Sequence, residues 1–130
     1  MPDSKDPGLV QWFDLTVDDA PGLRDFYQDV VGWDFQPAPV ADYEDWCMLS
    51  EGKLVTGICH RKGDNQNMPS MWLIYINVED LEESLSRCTE LGGEILDGPR
   101  HQEGHGTLAV IKDPAGAVCA LFEKQPPAEK

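Results

Sequence analysis

Residues 12–19 read WFDLTVDD and residues 73–80 read LIYINVED, and the fold turns on reading these two stretches as copies of one unit. Each is a short run of β-branched and aromatic residues, the composition of a strand. Each ends in two acidic residues, placed where a carboxylate can accept from the first free N–H groups of a helix. Asp19 is followed 13 positions later by Gly32, and Asp80 is followed 13 positions later by Gly93. Glycine is a common helix stop, so both helices have the same span. The offset between the copies is 61 residues. Pro21 falls in the first turn of the first helix, where its missing N–H costs nothing. Asp80 and Glu83 have capping-box spacing at the start of the second. Leu23, Phe26, Tyr27, Val30 and Val31 share one helical face in copy one. Leu81, Leu85 and Cys88 do so in copy two, with Leu91 on the edge.

Short extended runs follow each helix. In copy one they are read at 34–37, 46–50 and 54–60, with 51–53 as a hairpin loop. In copy two they are read at 94–96, 107–112 and 117–123, with the Asp113-Pro-Ala-Gly116 turn between the last two. Each copy is thus βαβββ. Module one covers about 9–61 and module two 71–124. The polar stretch KGDNQNMPS (62–70) is the linker, and the tail 125–130 is expected to fray. Each half alone would expose one apolar sheet face. The expected fold is therefore α+β, a single domain over 1–130, with two βαβββ modules forming a curled mixed sheet around a cleft.

Composition narrows the partners. The chain has 130 residues with 10 Lys and Arg against 24 Asp and Glu, a formal charge of −14. Such a surface repels phosphate backbones and anionic lipids, so neither nucleic acid nor membrane is an expected partner. No apolar run approaches the ~18 residues of a membrane helix. The opening MPDSKDPG lacks the apolar stretch of a signal peptide. Cys47, Cys59, Cys88 and Cys119 form no CxxC pair and sit mostly among apolar neighbours. They read as reduced, packed thiols of a cytoplasmic protein.

Several pieces together carry a resemblance: Phe26-Tyr27 with Gly32-Trp33, Trp72 with Val78-Glu-Asp80, Leu91-Gly-Gly93, Gly98-Pro99 and Asp113-Pro-Ala-Gly116. With the two βαβββ halves, the chain from about Val10 to Glu123 resembles the vicinal oxygen chelate superfamily. That group includes glyoxalase I, extradiol dioxygenases and bleomycin- and fosfomycin-resistance proteins. The resemblance implies a cleft in which His or Glu side chains from four strands bind a divalent ion. Seven residues before each capping Asp, the implied ligand positions hold Trp12 and Leu73. Four residues after the DPAG turn, the implied position holds Ala120. The fourth lies somewhere in 57–60 and leaves His60 as the one ligand type available. Trp, Leu and Ala do not bind a hard or borderline cation, so no metal and no cofactor are expected. His101 and His105 read as ordinary loop histidines.

Strand alternation then defines what lines the cleft. Trp12, Asp14 and Thr16 share one face, as do Leu73, Tyr75 and Asn77, and Val118, Ala120 and Phe122. The expected ligand-binding residues are Trp12, Asp14, His60, Leu73, Tyr75, Asn77, Ala120 and Phe122, an aromatic and apolar set with a few polar groups. Asp14 can accept a ligand hydrogen bond, act as a general base, or pair with Arg or water. No catalytic residue is assigned. The implied function is binding of a small apolar or aromatic molecule. The alternatives are a metal-dependent lyase, isomerase or dioxygenase with displaced ligands, and an interaction protein whose cleft is filled. The resemblance also implies a homodimer, with Trp33, Trp46 and Trp72 either on an exposed flank or packed in the core.

Overall fold

The computed structural model describes residues 5–40 and 42–125; the tail beyond Gln125, expected to fray, lies outside them. The elements run β1 (Val10–Val17), α1 (Ala20–Val31), β2 (Asp34–Val40), β3 (Tyr43–Ser50), β4 (Lys53–His60), a single 3-10 turn at Gly63–Asn65, β5 (Trp72–Asn77), α2 (Leu81–Glu90), β6 (Glu94–Gln102), β7 (Gly106–Lys112) and β8 (Val118–Lys124). The α+β class and the doubled βαβββ order are as the repeat predicts. The hydrogen-bonded strand order is β2-β3-β4-β1-β5-β8-β7-β6, a mixed sheet that does not close. No helix among the described residues is long and apolar enough to cross a membrane.

Three strands are longer than their sequence suggests. β2 runs on through Pro37 and Pro39, β3 starts at Tyr43, and β6 runs through Gly98 and Pro99 to Gln102. Pro39, Gly98 and Pro99 read as breakers. However, β2 and β6 stand at the two ends of the strand order, and an edge strand tolerates a residue that cannot donate to a ladder. His101, expected in a loop, therefore lies in β6.

The chain divides into two compact units, Phe13–Trp72 and Met1–Trp12 with Leu73–Lys130. The boundary falls inside β1. In the Phe13–Trp72 unit, β1 pairs in parallel with β4, and β4-β3-β2 continue antiparallel. Asp19 caps α1 by accepting the Gly22 N–H at 3.0 Å. Gly32 ends the helix at φ 91°, a conformation that glycine takes without penalty. Leu15, Ala20, Met48 and Ile58 form the buried core beneath α1, ringed by Leu23, Tyr27, Trp33, Phe35, Trp46 and Trp72. Trp72 Nε1–H donates to the Tyr27 hydroxyl at 3.0 Å, and both rings contact Trp33, Tyr27 tilted and Trp72 edge-on. Trp33, Trp46 and Trp72 are thus half-buried packing residues rather than an exposed flank. The Arg24 guanidinium lies 4.5 Å from the Phe35 ring centre and 4.4 Å from that of Trp46.

In the other unit, β5 pairs in parallel with β8, and β8-β7-β6 continue antiparallel. Asp80 caps α2 through the Glu83 N–H at 3.2 Å. Leu81 and Leu85 of α2 pack on Ala109, Ile111 and Leu121. The start of the chain belongs to this unit: the Asn77 N–H donates to Leu9 O at 2.8 Å.

Candidate functional site

In the Phe13–Trp72 unit the parallel ladder sets two faces apart. Leu15 pairs with Ile58 and Val17 with His60, and these point to the α1 side. Asp14 pairs with Gly57 and Thr16 with Cys59, so these four lie on the far face. Asp45 of β3 joins them. It is buried, accepts the His60 N–H at 2.8 Å through Oδ1, and hydrogen-bonds the Cys59 thiol. Burial pushes that thiol well above its ordinary range, and the carboxylates of Asp14 and Asp45 push it further. At neutral pH it is therefore a protonated donor and a poor nucleophile.

His60 does not share the face of Asp14. By alternation it falls on the side of Ile58, its ring meets Tyr43 edge-on at 5.5 Å, and its Nδ1 is buried without a hydrogen bond among the described residues. The fourth position implied by the resemblance can now be read from the repeat itself. Asp14 plus 61 is Tyr75. Ala120 pairs with Tyr75, and Gly57 pairs with Asp14. Gly57 is therefore the counterpart of Ala120. Cross-strand register is the signal that finds it, and no local spacing carries that register.

In the second unit, Ile76 pairs with Leu121 on the α2 side. Tyr75 with Ala120, and Asn77 with Phe122, occupy the opposite face, joined by Leu108 and Val110 of β7. Here the side chains fill the face. Leu73, Tyr75, Asn77, Leu108, Val110 and Ala120 are all buried, and Phe122 is half-buried. The Asn77 amide donates to Gln11 Oε1 at 2.9 Å. Trp12 and Asp14 are half-buried on β1. On the face of Asp14, Gly57 and Cys59, Gly57, Thr16 and Asp45 are buried and Asp14 and Cys59 half-buried.

Elsewhere, His101 Nδ1 lies 3.4 Å from Thr107 Oγ1, and His105 is exposed in the β6–β7 turn. The four cysteines are free thiols. Among the described residues, no group of three or more His, Cys, Asp or Glu is arranged to hold a metal ion.

Residues 9–121 match the profile of a family described as the Glyoxalase/Bleomycin resistance protein/Dioxygenase superfamily. Among similar proteins, the anthracycline biosynthesis protein DnrV of Streptomyces peucetius is 31% identical over 91% of this chain and 48% of its own length. DauV of Streptomyces sp. strain C5, also named for anthracycline biosynthesis, is 30% identical over 91% of this chain and 48% of its own length. The chain thus spans about half the length of these relatives. In fold it is similar to the methylmalonyl-CoA epimerase of Mycobacterium tuberculosis, with a TM-score of 0.55, 15% identity, and coverage of 92% of this chain and 89% of that one.

Proposed function

We propose that this chain, which belongs to the glyoxalase/bleomycin resistance protein/dioxygenase superfamily, binds an apolar or aromatic small molecule without the help of a metal. The observation that carries the reading is the identity of the residues at the four positions where metal-using members hold their ion. Those residues are Trp12, Gly57, Leu73 and Ala120. An indole, a bare backbone, an isobutyl group and a methyl group offer no lone pair suited to a divalent cation. The residues present do not fit a metal, and no chemical step is assigned to one. What they offer instead is apolar surface with a few polar groups, the usual make-up of a small-molecule site.

On the face of Asp14, Gly57 and Cys59, the partial exposure of Asp14 and Cys59 supports a ligand reaching it; the half-buried Trp12 is an aromatic member of the expected set. The Asp14 carboxylate supplies an acceptor. The two relatives named for anthracycline biosynthesis support a fused-ring aromatic ligand, for which an indole is a good stacking partner. The free thiols support a reducing, cytoplasmic setting. Pairing as a homodimer is part of the same proposal.

Two measurements on the purified chain test it. Titration with an anthracycline as probe is expected to quench tryptophan fluorescence saturably, and Trp12→Ala is expected to weaken binding about tenfold, the worth of one aromatic stack. Elemental analysis is expected to find no stoichiometric metal. Near-stoichiometric Ni, Zn, Mn or Fe, or several degrees of thermal stabilisation by one of them, would overturn the proposal in favour of a metal-dependent lyase, isomerase or dioxygenase with displaced ligands.

A further inference from the structure

Helix α1 turns an apolar stripe toward solvent. Phe26 is 52% exposed, Val30 64% and Val31 53%. The core side of this helix is already supplied by Ala20, Leu23 and Tyr27. Phe26 touches Tyr27 edge-on at 5.0 Å, which fixes one side of its ring and leaves the rest uncovered. The repeat provides an internal comparison. The matching positions 61 residues on are Arg87 in α2 and Leu91 and Gly92 just past its end. The second copy of the architecture therefore does without three apolar residues there.

The rim of the stripe is acidic. Asp25, Asp29 and Asp34 are exposed around it. Arg24 is the one base between residues 20 and 35. Its guanidinium is held over the Phe35 and Trp46 rings and pairs with Asp25 at 2.9 Å, so it offsets one of the three rim carboxylates and the rim stays net acidic. Apolar anchors spaced i and i+4, flanked by carboxylates, are the complement of a basic amphipathic helix. A second copy of this chain fits poorly. A two-fold contact on the stripe would set the three carboxylates against their own copies, in a molecule that already carries −14.

From the exposed stripe and its acidic rim we infer that α1 docks a partner protein through a basic amphipathic helix. The partner's apolar side chains cover Phe26, Val30 and Val31, and its Lys or Arg residues meet Asp25, Asp29 and Asp34. This rests on a different surface from the ligand site and stands whether or not that site binds an aromatic molecule.

The probe is a fluorescein-labelled helical peptide of Leu and Lys in amphipathic spacing, read by anisotropy at physiological salt. A Leu/Glu peptide of the same pattern is the control. Saturable binding of the Leu/Lys peptide alone is expected. Phe26→Gln with Val30→Gln is expected to weaken it roughly tenfold or more, as loss of two anchors should. Asp25→Asn with Asp29→Asn should weaken it several-fold and flatten its salt dependence. Leu91→Gln, at the repeat counterpart of Val30, should leave it unchanged. All five positions are exposed, and matching circular dichroism spectra will show that the variants fold. No binding, or equal binding by the Phe26/Val30 variant, overturns the inference, since attraction would then follow net charge alone. A dimer of the unmodified chain that Phe26→Gln dissociates also overturns it, because a second copy would then be the occupant.

Discussion

Glu123 joins three parts of one unit: its Oε1 accepts the Leu81 N–H at 2.8 Å, at the start of α2, and its Oε2 pairs with Lys5 at 3.0 Å. The Leu81 N–H first, and the Lys5 ammonium second, hold its carboxyl below the ordinary carboxylate range. A carboxyl depressed by folding contributes its stability above the unfolded value of 4.5 and loses it as pH falls through the folded value. Glu123→Gln is therefore expected to cost about 1 kcal/mol at neutral pH, the usual worth of a helix-capping carboxylate. The difference from the unsubstituted chain should shrink toward pH 3. Urea unfolding at both pH values measures it, and an equal cost at both would mean that packing, not charge, is lost. The caps Asp19 and Asp80 are legible in sequence because each bonds an N–H three residues on. Glu123 is not, because its backbone partner lies 42 residues away.

At the scale of elements, α2 is held by a small apolar patch. Leu85 is buried among Leu81, Ala109, Ile111 and Leu121. Leu85→Ala removes most of that contact and is expected to cost about 2–5 kcal/mol, the range for truncating a buried leucine, as read by thermal or denaturant melts. Leu91→Ala, on an exposed side chain, should cost little by the same measure. Both helices and the bounds of five of the eight strands can be placed closely from local pattern, since acidic caps, glycine stops and the DPAG turn act within a few residues. β2, β3 and β6 read shorter in sequence than they are; for β2 and β6 the reason is that Pro39 and Pro99 forbid a ladder donor, and only the strand order reveals that they stand at edges where none is required. The same division runs through the candidate site. Trp12, Leu73 and Ala120 are counted from a cap or a turn, whereas the β4 position depends on which residue sits opposite Asp14. That choice is made by pairing with β1, so Gly57 emerges only from the ladder. Burial is the other quantity local pattern lacks. Alternation assigns Tyr75, Asn77 and Ala120 a face but does not say that the face is filled.

For the molecule as a whole, the charge of −14 sets the terms of association. Two copies repel each other beyond contact distance, and salt screens that repulsion, with a Debye length near 10 Å at 0.1 M. If the proposed homodimer forms, its fraction should rise between about 20 and 300 mM NaCl. Sedimentation velocity at both salts checks this, and a chain that stays monomeric throughout removes the homodimer from the proposal. The charge excess also places the isoelectric point near 4.3, where repulsion between copies is weakest. One further consequence lies in the strand that the unit boundary cuts. Val10–Trp12 belong with Leu73–Lys130, and Lys5 and Asp6 clip onto Glu123 and Lys124 at the far end of the chain. Lys5 and Asp6 therefore leave a ribosome 118 residues ahead of their partners. The contiguous Phe13–Trp72 unit can close while its leading arm waits, and the other unit is complete only once translation has passed β8.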